Sequence, residues 1–374
     1  VDTTRAFVEK ELYPHEAEVE RTGHLRMDLI RELQTKARAA GLYAANMPEE
    51  VGGAGLDTLS WLLYERELGR ANYALHWTCV ARPSNILLAG TEEQKEKYLY
   101  PCIRGETWDC LAMTEPGAGS DLKGIRTRAV RDGDHYVVNG MKIWNSYGHE
   151  ADWMFALVRT STEGKTQEGI SVLLIDMKTP GIKVNPIVSI DAHHSLNEVE
   201  FNDVRVPVEN MIGEENKGWT YAKALLAHER TGMAEVADST RMLDALKQRA
   251  SLEVNGGKAM IEDPIFQMRL SDIEMELMAL EYTELRALAA IAEGNEPGPE
   301  ASLLKLQGTE IQQTIQELRM DVAGYMSGTL GRNERELEVG DDIRKLYFRG
   351  RASSIYGGSN EIQKNIIAKR VLGL

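Results

Sequence analysis

The sequence predicts an α+β protein with a helical N-terminal domain, a middle antiparallel β domain and a C-terminal helical bundle. Apolar residues recur every three to four positions in the first and last parts of the chain, but every second position in the middle part. The 374 residues are 43% hydrophobic and 27% charged, which is ordinary for a globular protein of two or three domains. We therefore place the domains at residues 1–108, 109–218 and 219–374.

The N-terminal part is predicted to be helical. Asp28–Ala40 and Thr58–Leu68 both carry apolar residues at helical spacing. Between them, Pro48–Gly55 has the sequence PEEVGGAG, and its three glycines favour a turn. Close approach of this backbone to a ligand is the less common use of such a loop.

The middle part alternates apolar and polar residues, which is typical of β-strands. Asp132-Gly133 and Asn139-Gly140 are dipeptides that favour hairpin turns. A compact antiparallel sheet is therefore expected in this part of the chain. Its predicted strands are Thr127–Val130, Tyr136–Val138, Trp153–Val158, Ile170–Ile175 and Val199–Phe201.

Helical spacing returns after Gly218 and persists to the end of the chain. Long helices with short connections are typical of a four-helix bundle. The chain has no alternating βαβ unit and no GxGxxG string after a strand, which excludes a Rossmann fold. The predicted helices are Trp219–Ala250, Pro264–Ala292, Glu300–Tyr325 and Ser359–Val371, with Gly294–Pro299 as a linker.

Composition and charge exclude several classes of function. A formal net charge of -15 leaves no basic face for nucleic acid. No apolar run approaches the roughly 18 residues that span a bilayer, and the N-terminus lacks a signal-peptide core, so a cytoplasmic protein is expected. Three widely spaced cysteines, Cys79, Cys102 and Cys110, predict buried thiols rather than a disulfide or zinc framework. No HExxH or similar metal motif occurs.

The segment Leu111–Asp121, with the sequence LAMTEPGAGSD, carries the most informative pattern in the chain. We predict a strand that ends at Pro116 and continues into a loop with two glycines. The backbone N–H groups of such a loop, with the hydroxyls of Thr114 and Ser120, suit a flavin edge or a phosphate. By composition alone, an ordinary turn is the more common outcome.

The string TEPGAGSD resembles the flavin-binding signature of the acyl-CoA dehydrogenase family, and two further strings support the resemblance. Lys142–Ser146 (KIWNS) is similar to the family's strand that contacts the isoalloxazine ring, and Ile355–Gln363 (IYGGSNEIQ) is similar to its C-terminal segment. Family-like sequence covers essentially the whole chain. The resemblance implies FAD as cofactor and α,β-dehydrogenation of an acyl-CoA thioester to the trans-2-enoyl-CoA.

The resemblance also implies which residues hold the flavin. Trp144 is expected to press its indole on a flavin face, where it excludes water, rather than to fill a core position in the β domain. Ser120 is implied as a substrate contact as well as a flavin contact. The implied flavin contacts are Leu111, Met113, Thr114, Gly119, Ser120, Trp144, Ser146, Ser359 and Glu361.

The reaction needs a carboxylate base in a dry site, where its pKa is raised toward that of the α-proton. Many family members carry this glutamate in a C-terminal YEGT string, but the matching string Tyr356–Ser359 is YGGS. Gly357 cannot accept a proton, although its backbone N–H can still bind the thioester oxygen. The base must therefore come from elsewhere.

Glu229 occupies the family's alternative base position, an acidic residue before an arginine on the first long helix of the bundle. It falls inside an apolar helical stripe, where a carboxylate is more often a structural partner than a catalyst. Because Gly357 cannot act as the base, the catalytic interpretation of Glu229 becomes the preferred one. Arg230 is implied as a contact on the CoA side, with a surface ion pair as the alternative. The stripe consists of Leu225, Leu226, Gly232, Met233 and Val236.

Histidines are not expected to act in the chemistry. His228 is adjacent to Glu229, and neighbouring residues on a helix point about 100° apart, so both cannot face one flavin. The pair His193-His194 is expected in a loop of the β domain, at the surface or at the edge of the substrate site.

Homotetrameric members of the family carry an RxxFG string and a QxxGGxG string, and both strings reach across a subunit interface to the neighbour's flavin. This chain departs from both strings. The matching stretches of this chain are Glu253–Lys258 (EVNGGK) and Arg319–Gly324 (RMDVAG), and neither string is intact. The chain is then either part of a diverged homo-oligomer or, as we favour, the catalytic subunit of a heteromeric enzyme, as a dimer or tetramer. The pair Gly357-Gly358 predicts room for a bulky or branched acyl group.

The sequence leaves three functions open. The first is a dehydrogenase that passes electrons to an electron-transferring flavoprotein. The second is an oxidase that passes them to oxygen. The third is a non-catalytic subunit that has lost its flavin, which the intact TEPGAGSD and KIWNS strings make the least favoured.

Overall fold

The computed structural model describes residues 1–22, 25–191, 194–223, 234–295, 298–328 and 342–374. The chain forms two compact units. One unit, which we call the sheet unit, consists of residues 44–55 and 82–226. The other, the helical unit, consists of residues 1–43, 56–81 and 227–374. No helix among the described residues is long and apolar enough to cross a membrane.

The sheet unit is built on one eight-stranded sheet. Its strands are Asp109–Ala112 (β1), Arg128–Asp132 (β2), His135–Ser146 (β3), Trp153–Arg159 (β4), Ile170–Asp176 (β5), Ile182–Val188 (β6), His194–Pro207 (β7) and Met211–Ile212 (β8). Seven of them follow the order β6-β7-β3-β2-β4-β5-β8, and β1 pairs with β4. Most pairs are antiparallel, as predicted, but β1 and β2 each pair with β4 in parallel. A parallel partner requires a long connection, and the hairpin of β2 and β3 lies within the one between β1 and β4.

The two predicted hairpin turns have different outcomes. Asp132-Gly133 does close a hairpin, in which Asp132 pairs with His135 and Gly133 has a φ of 62°. The turn predicted at Asn139-Gly140 is wrong, because both residues lie inside β3. The Asn139 side chain bonds Asp203 on β7 at a register shift, and a Cβ on Gly140 would lie 2.6 Å from the Cα of Thr127. This glycine permits close approach of strands rather than a reversal of the chain.

Strand β6 was not predicted from the sequence, because Asn185 and Pro186 interrupt its pattern. Strands β4 and β5 are buried along nearly their whole length. Before the sheet, helical turns span Glu92–Gln94, Lys95–Leu99 and Tyr100–Ile103. The Tyr98 hydroxyl donates to the Asn210 side chain at 2.6 Å, which fixes these turns beside β8. The PEEVGGAG segment is a compact turn, as predicted, with a 3-10 helix at Glu49–Val51.

The helical unit packs around the helix Glu300–Ala323, which we call the central helix. Its residues Leu304, Ile311, Ile315 and Leu318 are buried in one apolar core. Four neighbouring helices contact it: Val236–Leu252, Pro264–Ala292, Asp342–Gly350 and Asn360–Arg370. The remaining helices of this unit are Asp2–Phe7, Val8–Leu12 (a π turn), Tyr13–Thr22, Met27–Ala39, Thr58–Leu68 and Tyr73–Cys79.

The predicted helix Trp219–Ala250 is interrupted. Residues 218–223 are helical in the sheet unit, and a separate helix begins at Val236. Glu235 precedes that helix with φ 45° and ψ 40°, a left-handed conformation in which an α-helix cannot continue. The helix predicted to end at Tyr325 ends at Ala323, where Gly324 has a φ of 53°. All three cysteines are free and buried, as expected.

Candidate functional site

The TEPGAGSD loop, Thr114–Asp121, follows directly from β1. Glu115 and Ala118 exchange backbone hydrogen bonds of 3.2 and 3.0 Å, which folds the loop into a tight turn. Gly119 and Ser120 are exposed on the far side of that turn, and Thr114 is half-buried at its start. The loop thus presents backbone and hydroxyl groups on a rigid base.

The KIWNS segment of β3 lies against this loop. The Ile143 N–H donates to the Thr114 carbonyl at 2.9 Å. The Asn145 side chain donates to the Leu111 carbonyl, and its backbone carbonyl accepts from Asn197 at 3.1 Å. The two strings predicted to contact the flavin are therefore neighbours in one unit.

A buried ion pair joins the same two strings. Lys142 is fully buried and donates to a Glu115 oxygen at 2.8 Å and to the Met113 carbonyl at 3.0 Å. The Glu115 carboxylate also accepts the N–H groups of Arg126 (2.6 Å) and Thr127 (2.9 Å). Burial opposes ionisation of Glu115, but the Lys142 ammonium and these hydrogen bonds outweigh it, so the pKa of Glu115 is lowered. Burial lowers the pKa of Lys142, and Glu115 opposes that shift.

Trp144 points away from this buried network. Between Lys142 and Asn145 the register of β3 against β7 shifts by one residue, and Trp144 adopts a φ of 62° at this bulge. Its side chain is 55% exposed, although a large apolar ring would ordinarily be buried. A left-handed tryptophan at a bulge stores backbone strain, which is characteristic of ligand sites.

The exposed part of the loop and Trp144 together fit a planar aromatic cofactor. A Cβ added to Gly117 or Gly119 would meet no atom within 4 Å, so the loop backbone is open to a ligand. Within the described part of the chain, no acceptor lies against the N–H groups of Gly119 and Ser120. Donor groups of this kind suit the polar edge of a flavin, and an open indole suits its apolar face.

The C-terminal segment belongs to the helical unit. Gly357 and Gly358 have φ values of 63° and 86°, and both carbonyls accept hydrogen bonds from the Gln363 side chain. Ser359 caps the helix Asn360–Arg370 by accepting the N–H of Ile362. A Cβ on Gly358 would lie 2.7 Å from the Gln363 amide nitrogen, so the double glycine fits this turn closely.

Three family models match successive parts of the chain. They are the acyl-CoA dehydrogenase N-terminal domain (residues 1–106), middle domain (110–204) and C-terminal domain (216–372).

The chain belongs to the acyl-CoA dehydrogenase family. Acyl-CoA dehydrogenase IpdE1 of Mycobacterium tuberculosis is 35% identical over 362 residues, which cover 94% of this chain and 89% of that protein. The ChsE4-ChsE5 complex from Mycobacterium tuberculosis contains a chain with 30% identity and a TM-score of 0.85, over 99% of this chain and 95% of that one. A structure described as the Tcur3481-Tcur3483 steroid ACAD gives 27% identity and a TM-score of 0.86, with the same coverage.

In this acyl-CoA dehydrogenase, the predicted site residues fall into three groups. Those of the sheet unit, from Leu111 to Ser146, are brought together by the contacts described above. Gly357, Ser359 and Glu361 lie in the helical unit, with Glu361 exposed in the first turn of its helix. Glu229 and Arg230 lie outside the described residues, as do most members of the apolar stripe around them.

Glu235, the left-handed residue that precedes Val236, was not predicted from the sequence. Its carboxylate accepts a hydrogen bond from Gln312 on the central helix. Burial of the carboxyl, followed by repulsion from Asp238, raises the pKa of Glu235 to about 7. In the sequence, Glu235 is distinguished only by its position six residues after Glu229. That spacing does not predict a left-handed backbone conformation.

Glu115, Lys142 and Asn145 were likewise not predicted to have a role, although all three stand inside the strings that identify the family. These residues make buried contacts with backbone far along the chain, which no local pattern signals.

The two histidines near the sheet lie where β7 begins. His194 begins β7 and stacks on His149 with ring centroids 4.1 Å apart. Both rings bond the Asn197 side-chain oxygen. His193 lies outside the described residues. Among those that the structure does describe, no group of three or more His, Cys, Asp or Glu side chains could hold a metal ion.

Proposed function

We propose that this chain is the catalytic subunit of an FAD-dependent enzyme that converts an acyl-CoA thioester into the trans-2-enoyl-CoA. The observation that carries the proposal is the joining of the TEPGAGSD loop to KIWNS by buried contacts, with Trp144 and the Gly119-Ser120 edge left exposed. Bound FAD would supply the hydride acceptor, its N5 atom. The relatives, which are named acyl-CoA dehydrogenases, support the same reaction.

In this proposal, the flavin is held by residues of β3, by residues in and just before the TEPGAGSD loop, and by residues of the C-terminal segment. The exposed indole of Trp144 covers one face and excludes water. Ser146 lies on the same strand and is exposed beside it. The remaining proposed contacts are Leu111, Met113, Thr114, Gly119 and Ser120 in the sheet unit, with Ser359 and Glu361 in the helical unit.

Glu229 is proposed to remove the α-proton of the thioester. Negative charge then develops on the thioester oxygen, and the backbone N–H of Gly357 donates a hydrogen bond to it. The left-handed φ of Gly357, and the binding of its carbonyl to Gln363, give that N–H a fixed direction. Arg230 and Ser120 are proposed to contact the substrate, on the CoA side and at the flavin edge.

The decisive experiment compares Glu229→Gln with Glu235→Gln, a matched change at the nearby carboxyl. Each chain is loaded with FAD and mixed anaerobically with acyl-CoA, and bleaching of the flavin is followed. We expect Glu229→Gln to bind FAD normally but to reduce it at least about a thousandfold more slowly, while Glu235→Gln stays near the native rate. The reverse result would transfer the role of base to Glu235. Unimpaired reduction in both variants would disprove both assignments.

A bulky acyl group is proposed because Gly357 and Gly358 add no side-chain volume to the segment that is proposed to bind the thioester. The relative described as a steroid ACAD points the same way. Rates with ring-bearing, branched and linear acyl-CoAs test this directly. Activity confined to short linear substrates would contradict it.

A heteromeric assembly is also proposed. The EVNGGK stretch does not keep the intact string of the homotetramers. Its two glycines, Gly256 and Gly257, close a tight hairpin between Val254–Asn255 and Lys258–Ala259, so this turn itself accounts for them. Related structures include a two-component complex, ChsE4-ChsE5. Co-purification with a second acyl-CoA dehydrogenase-like chain is the expected result, whereas a homotetramer that is fully active alone would contradict it.

An electron-transferring flavoprotein is the proposed electron acceptor, and the cytoplasm is the proposed location. Oxygen consumed in step with turnover would favour the oxidase alternative. A colourless protein, even with its partner and added FAD, would favour the non-catalytic alternative.

A further inference from the structure

Glu115 and Lys142 form a buried ion pair, and neither residue has a role in the proposed reaction. Lys142 is completely buried and Glu115 nearly so, which is costly for both charges unless each is well bonded. Each of them is. One hydrogen bond joins the two side chains, and three more connect the pair to two separate stretches of backbone, at Met113 and at Arg126-Thr127.

These bonds surround the TEPGAGSD loop. Lys142, on β3, bonds the carbonyl of Met113, the residue just before the loop. Glu115, inside the loop, bonds the N–H groups of Arg126 and Thr127, which follow it. The beginning of the loop is thereby tied to β3 through Lys142 and to the two residues that precede β2 through Glu115, so one side-chain pair holds it against two parts of the sheet.

We propose that Glu115 and Lys142 are positioning residues that hold the TEPGAGSD loop in the conformation able to bind FAD, and so set the affinity for the cofactor. This inference rests on the proposed function, because it takes the loop as a flavin contact. When only a fraction of molecules has the competent loop, the apparent dissociation constant rises by the inverse of that fraction. If the pair merely stabilised the sheet, its removal would lower the melting temperature and leave the FAD affinity of the folded molecules unchanged.

The test uses the double variant Glu115→Gln/Lys142→Met, which removes both charges and leaves neither unpaired. Its fold should survive, because replacing both partners of a buried pair is much less damaging than replacing one. The FAD dissociation constant is measured on the apoprotein by fluorescence quenching, together with circular dichroism and the shape of the bound flavin's visible absorption band. We expect a dissociation constant at least about tenfold higher, and a less resolved band from a looser flavin environment.

The matched control is Asp132→Asn/Arg205→Met, which neutralises an exposed ion pair of 2.8 Å in the same sheet. It should bind FAD as the native chain does. A folded Glu115→Gln/Lys142→Met variant with native affinity would overturn the inference. Failure of the native chain to bind FAD even with its partner chain present would instead overturn the proposed function.

A measurement on the native apoprotein covers the case in which the double variant does not fold. The Arg126 residue is exposed, yet its N–H is bonded to Glu115 at 2.6 Å. Its amide should therefore exchange hydrogen slowly in the absence of FAD. Exchange at the rate of a free loop amide would show that the loop is not held before the cofactor arrives, and would equally overturn the inference.

Discussion

Glu115 in the sheet unit is buried and Glu235 in the helical unit is half-buried, and the surroundings of these two carboxyls shift their pKa values in opposite directions. Glu115 accepts an ammonium and two backbone N–H groups, and its pKa is lowered. Glu235 accepts one neutral amide and lies near another carboxylate, and its pKa is raised to about 7. The bonding partners, rather than burial itself, decide whether a desolvated carboxyl stays ionised.

The same contrast separates two buried lysines. Lys142 has a carboxylate partner, whereas Lys305 on the central helix donates to the neutral side-chain oxygen of Asn360 at 2.8 Å. That oxygen also accepts from Thr309 at 3.2 Å. Removal of each lysine therefore leaves behind a different group, and this difference determines the cost of each substitution.

The largest effect on stability is expected for Lys142→Met. It leaves the Glu115 carboxylate buried without its cation, and breaking one side of such a pair costs about 3–5 kcal/mol. Urea unfolding of the apoprotein measures the loss. The double variant Glu115→Gln/Lys142→Met should recover most of it. An equal or larger loss in the double variant would show that the unpaired Glu115 charge is not the cause.

A smaller, pH-dependent effect is expected for Glu235→Gln. The native carboxyl has a folded pKa near 7 and a reference value of 4.5, so the folded state holds a proton that the unfolded state has lost between these values. Native stability should fall as pH rises through this window. Glutamine does not titrate, and by pH 8 the variant should have gained about 1–3 kcal/mol on the native chain relative to pH 4. Parallel stability profiles from pH 4 to 8 would refute the raised pKa.

The smallest effect is expected for Lys305→Met. Burial lowers the pKa of Lys305 to about 8, and its loss leaves the Asn360 oxygen still bonded to Thr309. The free energy of unfolding at pH 7 should change by less than about 1 kcal/mol, because no charge is stranded. A loss as large as that of Lys142→Met would mean that the charge of the remaining partner does not govern the cost.

Local sequence patterns predicted much of the fold. Thr58–Leu68 and Pro264–Ala292 are helices with the predicted ends, and five strands appear where alternation placed them. Errors arose where a residue serves a distant neighbour. Gly140 looks like a turn residue but accommodates Thr127, and Glu235 looks helical but adopts a left-handed conformation beside Gln312.

Motif strings identified the family and predicted flavin contacts, of which seven lie in the sheet unit and two, Ser359 and Glu361, lie in the helical unit. The contacts that tie those strings together are invisible to periodicity: Lys142 reaches back 29 residues to Met113, and Asn145 reaches back 34 to Leu111. The order of residues thus supplied the architecture, the family and a proposed base in Glu229. Only the tertiary structure revealed which charges are buried and with whom, because burial and pairing depend on residues that the chain brings together from far apart.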